Sequence, residues 1–180
     1  MRPRSGRRAM LMGAVGWSMG LGQDDPASAR PKEGDLLVKV GDASRTPLAP
    51  DDVPLAGGYV AAWAMDPADK TVRSGSRLNE LLLLRFEPGA LAADTRARAA
   101  AGVVAYTSIC THNGCDIDTW LASQQHLYCS CHESIFDPKD GARVLDGPAP
   151  RPLPALPLRI MDGILVVAKP FTAPVGYEKG

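Results

Sequence analysis

Two short motifs constrain this chain more than any other feature: CTHNGC at residues 110–115 and CSCHES at residues 129–134. Together they contain all four cysteines and two of the three histidines of the 180 residues. Such a concentration of thiols and imidazoles indicates a metal centre, a set of disulfides, or both. Thirteen residues separate the motifs, so two loops must meet when the chain folds.

Three uses of these six side chains are compatible with the spacing. Two disulfides would leave both histidines without a role, and one structural zinc ion would take four ligands and leave two over. A third division uses all six, because two thiolates and two imidazoles bind metal while one cysteine from each loop forms a disulfide. An oxidising compartment outside the cytosol would keep that disulfide intact.

Composition and charge indicate a globular chain built from many short elements. Hydrophobic residues make up 45% of the sequence, enough for a sizeable core, and 18 glycines with 16 prolines favour turns over long helices. The 20 basic and 20 acidic residues give a formal net charge of zero. The chain therefore lacks the basic surface of a nucleic-acid-binding protein.

Residues 1–29 resemble an export leader. Arg7 and Arg8 form a twin arginine, a glycine-interrupted apolar run follows at residues 9–21, and Ala27–Ala29 offers small residues for cleavage. We expect a Tat-type signal and a location in the bacterial periplasm or at the periplasmic face of the inner membrane. A basic tail without a targeting role is the alternative, and the apolar run is shorter than the ~20 residues of a membrane span.

The rest of the sequence predicts a mainly β fold. An alanine-rich stretch at residues 90–102 predicts one short surface helix. The dipeptide Asp162-Gly163 between two apolar runs predicts a hairpin. Short apolar runs bounded by glycine or proline predict strands in five further places, at residues 35–41, 57–66, 79–89, 103–109 and 125–131.

The two cysteine motifs resemble those of the Rieske iron–sulfur proteins, in particular the disulfide-containing branch of cytochrome bc complexes and arsenite oxidase small subunits. The resemblance covers residues 103–168 and implies a [2Fe-2S] cluster in which two histidines replace two cysteines on one iron. It implies that Cys110 and Cys129 bind one iron and that His112 and His132 bind the other. It also implies a disulfide between Cys115 and Cys131.

The same resemblance implies a fold and a division of the chain. The expected fold is a Rieske-type antiparallel β-sandwich with a small cluster-binding subdomain of two loops and one short helix. The expected segments are the leader at 1–29, base-domain strands with a linker and the helix at 30–102, the cluster-binding region with the proline loop and closing hairpin at 103–168, and a tail at 169–180.

Residues around the motifs gain roles from the resemblance. Residues 147–158 resemble the proline loop that covers the cluster, with Gly147, Pro148, Ala149 and Pro150 as its first residues. A polyproline linker is the alternative interpretation of this stretch.

Three residues of the second motif region are expected to tune the reduction potential. Ser134 matches a serine whose hydroxyl reaches a bridging sulfide, whereas Phe136 stands where high-potential members carry a tyrosine. Glu133 replaces the usual glycine and adds a negative charge. Because hydrogen bonds to sulfur stabilise the reduced cluster, we expect a potential below that of the quinol-oxidising members.

The implied function is one-electron transfer as a subunit or soluble carrier of an exported respiratory oxidoreductase, most like the ubiquinol–cytochrome c reductase iron–sulfur subunit. Asn113, the expected docking tip, is polar where quinol-oxidising relatives usually carry an apolar residue. The alternative is therefore the small subunit of a periplasmic arsenite-oxidase-like molybdoenzyme. The expected partners are a c-type cytochrome and a quinol-oxidising or molybdenum-containing subunit, and such a complex could associate the chain with the membrane.

Other functional classes fit the sequence less well. The chain is expected to be an electron-transfer component and not an enzyme on its own. A Rieske oxygenase needs a second iron held by two histidines and a carboxylate, and His126 is the single histidine left outside the motifs. Oxygenase ferredoxins lack the disulfide cysteines and the leader. A non-redox zinc-bound or disulfide-stapled binding module is the remaining alternative.

Overall fold

The computed structural model describes residues 25–177, so most of the expected leader lies outside the described residues. The described part contains one α-helix, α1 (Ala93–Arg96), and ten β-strands. The strands are β1 (Leu36–Lys39), β2 (Val60–Met65), β3 (Leu81–Arg85), β4 (Val103–Thr107), β5 (Thr119–Leu121), β6 (His126–Cys129), β7 (Ser134–Asp137), β8 (Arg143–Asp146), β9 (Leu158–Met161) and β10 (Ile164–Val167). A mainly β fold with one short helix is thereby confirmed.

Six strands form the larger sheet, in the order β4-β3-β2-β1-β10-β9, and every pair in it is antiparallel. The four leucines at 81–84 in β3 are all buried, two toward each face of the sheet. A strand covered on both faces needs an unbroken apolar run. The strand predicted over residues 79–89 is present as β3, and its run of leucines without polar alternation follows from this double burial.

Four strands form the smaller sheet, in the order β5-β6-β7-β8, and all four come from the chain between β4 and β9. The sequence predicted only β6 of this sheet. The other three strands are only three or four residues long, and β5 and β8 contain no fully buried residue, so they carry little apolar signal. Their pairing comes from the hairpins that connect them and not from strand propensity.

The boundary predicted between residues 102 and 103 lies inside the larger sheet. Strand β4 pairs with β3 along its whole length, and the closing hairpin β9–β10 pairs with β1 through β10. The hairpin turn has positive φ at Asp162 (51°) and Gly163 (81°), the type I′ geometry that this dipeptide favours. The part of the chain that forms a sheet of its own is thus the insertion between β4 and β9.

The predicted helix over residues 90–102 is present only as α1. After it, Ala101 and Gly102 take positive φ (49° and 78°), and the carbonyl of Gly102 accepts a hydrogen bond from the backbone of Phe86. A side chain at Gly102 would lie 2.1 Å from the carbonyl oxygen of Phe86. The return of the chain to β4 ends the helix despite the high helix propensity of alanine.

The expected cleavage triplet, Ala27–Ala29, packs on the connection between β2 and β3. The carbonyl of Ala27 accepts from the backbone of Gly75, and that of Ala29 accepts from the buried side-chain amide of Asn79 at 2.8 Å. Residues 1–24 lie outside the described residues, so the export signal stays a prediction. Between residues 25 and 177, no helix has the length and hydropathy needed to cross a membrane.

Candidate metal centre

The first motif forms a loop directly after β4, which we call loop 1 (residues 110–115). Cys110 is buried in the core between the two sheets, together with side chains of β3, β6 and β7. Its backbone N–H donates to the carbonyl of Cys115 at 2.8 Å, and the N–H of Gly114 donates to the carbonyl of Cys110 at 3.1 Å. Gly114 has φ +74°, which favours glycine at this turn. Asn113 is exposed at the tip.

The second motif forms the turn of the β6–β7 hairpin, which we call loop 2 (residues 130–133). Cys129 and Ser134 are paired across the hairpin, and both are buried. The backbone of Glu133 donates to the carbonyl of Cys129 at 3.0 Å and has φ +64°, the left-handed region that favours the glycine usual in this motif. His132 and Glu133 are exposed.

Folding brings the six predicted side chains together. Cys115 and Cys131 form a disulfide between the loops, as the resemblance implies. Cys110 and Cys129 are free and buried. The rings of His112 and His132 meet edge to face, with centroids 4.5 Å apart. A pair of buried thiols and a pair of surface imidazoles therefore occupy the space between the two loops.

The side chains present fit the cluster that the family motif implies. Nδ1 of His112 is buried and has no hydrogen-bond partner among the described residues, as expected of a nitrogen that binds metal. Burial, with a smaller contribution from the neighbouring Cys110, raises the pKa of the Cys129 thiol to about 11. A thiol with so high a pKa is deprotonated at neutral pH only when a cation compensates the charge of the thiolate.

A second grouping of sulfurs does not make a metal site. The sulfurs of Cys115, Cys129 and Cys131 lie within 4.8 Å of one another. Two of them are bonded in the disulfide, so only Cys129 retains a thiol that can bind metal.

The predicted cover loop lies across both ligand loops. The backbone of Ala149 donates to the hydroxyl of Ser134 at 3.2 Å, and the hydroxyl of Thr111 donates to the carbonyl of Arg151 at 2.7 Å. Gly147 has φ +86°, and a side chain there would lie 2.5 Å from Cα of Ser134. The loop thus touches the residue after Cys110 and the residue after Glu133. Pro148 and Pro150 are exposed on its outer side.

The predicted tuning residues differ in their surroundings. Ser134 is fully buried, and its hydroxyl accepts one hydrogen bond while no acceptor among the described residues takes its proton. Phe136 is fully buried in the core that also contains both free cysteines, so it packs there and offers no donor. Glu133 carries its carboxylate in solvent beside His132.

Several residues that support the loops were missed by sequence reasoning. Arg77 donates to the carbonyl of Gly114 and pairs with Asp116 at 2.6 Å. Asp118, three residues after loop 1, accepts from both the backbone and the hydroxyl of Ser130 and so links the segment that follows loop 1 to loop 2. Arg77 lies far from either motif in the sequence, so no local pattern could have identified it.

Comparison with known proteins places the site in a family context. The family model for the Rieske [2Fe-2S] domain matches residues 79–157. The cytochrome bc1 complex Rieske iron–sulfur subunit of Streptomyces lividans is 34% identical over 154 residues, which is 82% of this chain and 89% of the relative. The corresponding subunit of Streptomyces coelicolor is also 34% identical over 82% of this chain, which spans only 43% of that longer protein.

Two other similarities extend beyond these subunits. A Haloferax mediterranei chain described as a Rieske subunit of respiratory nitrate reductase is 43% identical over 77 residues, which is 42% of this chain and 34% of the relative. Among solved structures, the soluble domain of the Rieske protein II from Sulfolobus acidocaldarius matches with a TM-score of 0.43 and 24% identity, over 56% of this chain and 66% of that chain.

Proposed function

The chain belongs to the Rieske [2Fe-2S] protein family, and on that premise we propose that Cys110, Cys129, His112 and His132 hold its cluster. The protein transfers electrons through this cluster, one at a time. With two neutral imidazoles in place of thiolates, such a centre works at about −150 to +300 mV, far above plant-type ferredoxins. The observation that carries the assignment is the buried, unpartnered Nδ1 of His112 beside two buried free thiols.

The proposed ligands differ in position, with the two cysteines in the interior and the two histidines toward the surface. Cys110 and Cys129 hold the inner side within the hydrophobic core, which excludes water from it. His132 is exposed and His112 is half-buried, so their imidazoles offer the shortest path from the site to a redox partner. Asn113 stands beside them at the tip of loop 1, where a partner would dock.

The ligand assignment is tested by replacing His112 with cysteine. The expected result is loss of the cluster or a changed EPR spectrum of the reduced protein, because a thiolate replaces a neutral nitrogen on one iron. His126→Cys is the matched control, since this histidine lies on β6 outside the motifs, and its spectrum is expected to equal that of the wild type. An unchanged spectrum for His112→Cys would contradict the assignment.

The expected potential is intermediate within the Rieske range. Ser134 has a hydroxyl proton available for the cluster, which favours the reduced form, whereas Phe136 lacks the hydroxyl that would add a second such bond. The carboxylate of Glu133 opposes the added negative charge of reduction. A redox titration of the purified protein tests this proposal, and a midpoint near the top of the range would refute it.

For the wider role, the similarity to the bc1 subunits supports a bc-type respiratory complex that passes electrons to a c-type cytochrome. The polar tip at Asn113 and the similarity to a nitrate reductase subunit favour a second candidate, the small electron-transfer subunit of a respiratory molybdoenzyme. Affinity purification of the tagged full-length protein from its own cells separates the two. Co-purifying b- and c-type haem supports the first candidate, and co-purifying molybdenum supports the second.

Export fits this role, because the disulfide between Cys115 and Cys131 persists best in an oxidising compartment. The twin arginine at residues 7–8 supports the Tat route to the periplasmic side of the membrane. Replacing both arginines by lysine and fractionating the cells tests the route. Export is expected to fail in the variant, and unchanged periplasmic yield would contradict it.

A further inference from the structure

The chain after β10 returns to the metal site. Residues 172–177, which we call the C-terminal strap, begin at a pair of hydrogen bonds between Thr172 and the backbone of Ala155, at 2.9 and 3.0 Å. Further along, Gly176 lies against the side chain of Leu78, and Tyr177 lies against Gly114 of loop 1. The strap therefore runs from the end of the proline loop to the outer side of loop 1.

Arg151 joins the strap to the site. Its Nη2 donates to the carbonyls of Pro174 and Gly176, at 2.8 and 2.7 Å. Its own carbonyl accepts from the hydroxyl of Thr111, the fully buried residue between Cys110 and His112. One residue of the proline loop thus contacts the strap with its side chain and loop 1 with its backbone.

Loop 1 has two backbone hydrogen bonds of its own, but it does not lie between two paired strands of one hairpin, so contacts from other segments add to its support. Its base is the isolated bridge between Ile109 and Asp116, whereas loop 2 continues the ladder of a hairpin. Arg77 donates to the carbonyl of Gly114, and Leu78 beside it contacts the strap. The two arginines and the strap thus contact loop 1 at Thr111 and at Gly114.

We propose that Arg151 is a positioning residue for Cys110 and His112, and that the strap holds Arg151 in the required place. This inference rests on the proposed ligand assignment. Metal ligands are oriented by the groups bonded around them, and loss of such groups costs about 10–100-fold in metal affinity or activity. Because Thr111 lies between Cys110 and His112, loss of its bond to the Arg151 carbonyl would free the backbone that carries both side chains.

The test uses two variants of the full-length, cluster-containing protein: Arg151→Met, which keeps an apolar stem without donors, and a chain stopped after Ala173. Both are expected to lose iron to a chelator about 10–100-fold faster than the wild type and to shift the midpoint potential. Amide exchange is expected to rise at residues 110–116 and stay unchanged at residues 129–134. Arg159→Met is the control, because Arg159 is exposed on β9 and, among the described residues, its side chain bonds only to the sulfur of Met161.

A double variant separates positioning from general stability. If the strap acts through Arg151, the double variant is expected to change the rate of iron loss and the midpoint potential little more than either single variant does. The effects of residues that act through one contact are not additive. Arg151→Lys is expected to show a smaller shift of the midpoint potential than Arg151→Met. Variants that lower only the melting temperature, with wild-type potential and exchange, would overturn the proposal, as would fully additive effects. Since exchange is measured on the polypeptide, this outcome is independent of the spectrum of His112→Cys.

Discussion

Under the proposed assignment each motif supplies one cysteine ligand and one histidine ligand, yet loop 1 and loop 2 are held in different ways. Loop 2 is the turn of a hairpin, and its ends are paired directly by Cys129 and Ser134. Loop 1 is braced by side chains from distant parts of the chain, Arg77 and Arg151, and by the C-terminal strap. Of two similar ligand motifs, one can therefore take its loop conformation from its own hairpin, whereas the other depends on contacts with distant segments.

Removing the disulfide has the largest expected effect on this comparison. Cys115 and Cys131 are 16 residues apart in sequence, and a crosslink over such a loop contributes about 3 kcal/mol to the free energy of unfolding. The variant Cys115→Ala/Cys131→Ala is expected to lose about that amount in denaturant unfolding. Amide exchange is expected to rise in loop 1 more than in loop 2, whereas an equal rise in both loops would break the comparison.

The second-largest effect is expected from the contact between the proline loop and loop 2. In Gly147→Ala the new methyl group meets Cα of Ser134 at 2.5 Å and the carbonyl of Glu133 at 2.7 Å. Gly163→Ala is the matched control, with a similar φ (+81° against +86°) and no atom within 4 Å of the new group. Gly147→Ala is expected to cost about 1–3 kcal/mol more than its control, measured by denaturant unfolding, because backbone must move. Equal losses of unfolding free energy in the two variants would show that the backbone around Gly147 adjusts to the methyl group without loss of stability.

A local change in loop 2 has a smaller effect and the opposite sign. Glu133 has φ +64°, so Glu133→Gly removes backbone strain and is expected to stabilise the protein by up to about 1 kcal/mol. Its midpoint potential is expected to rise, because a negative charge beside His132 is lost. Ala101→Gly, at φ +49°, is the control and is expected to gain stability without any shift of potential. A rise of the midpoint potential in both variants would contradict the role of the Glu133 charge.

The smallest expected effect concerns the polar link between Asp118, which follows loop 1, and Ser130 of loop 2. Hydrogen bonds from Ser130 hold the pKa of Asp118 below its ordinary value. The folded state therefore binds this proton more weakly than the unfolded chain, so the stabilisation is present above about pH 4 and is lost as the pH falls through the lowered pKa. Asp118→Asn is expected to cost less than about 1 kcal/mol at pH 7, since the pair is exposed. The unfolding free energies of the wild type and of Asp118→Asn are expected to become equal in acid. A difference that persists there would show that the charge of Asp118 is not the cause.

Much of the larger sheet was predictable because its strands are apolar and bounded by glycine or proline. The four leucines of β3 and the Asp162-Gly163 turn carry strong local signals, and the structure agrees with both. The three other strands of the smaller sheet were missed because they are short and half-exposed. The helix was predicted too long because alanine propensity does not register the close contact of Gly102 with Phe86.

By itself, the sequence narrowed the chemistry of the site, because the residue types and spacing of the two motifs admit few uses for four cysteines and two histidines, and the resemblance to Rieske motifs selected one of these uses. It also indicated which loop residues lie near the ligands, including Glu133, Ser134 and Asn113. Only the tertiary structure decided what holds loop 1, because Arg77, Thr111, Arg151 and the strap act through bonds between segments that are distant in the chain. Such bonds leave no periodic or local pattern, since each partner is an ordinary polar residue until folding brings it to the site.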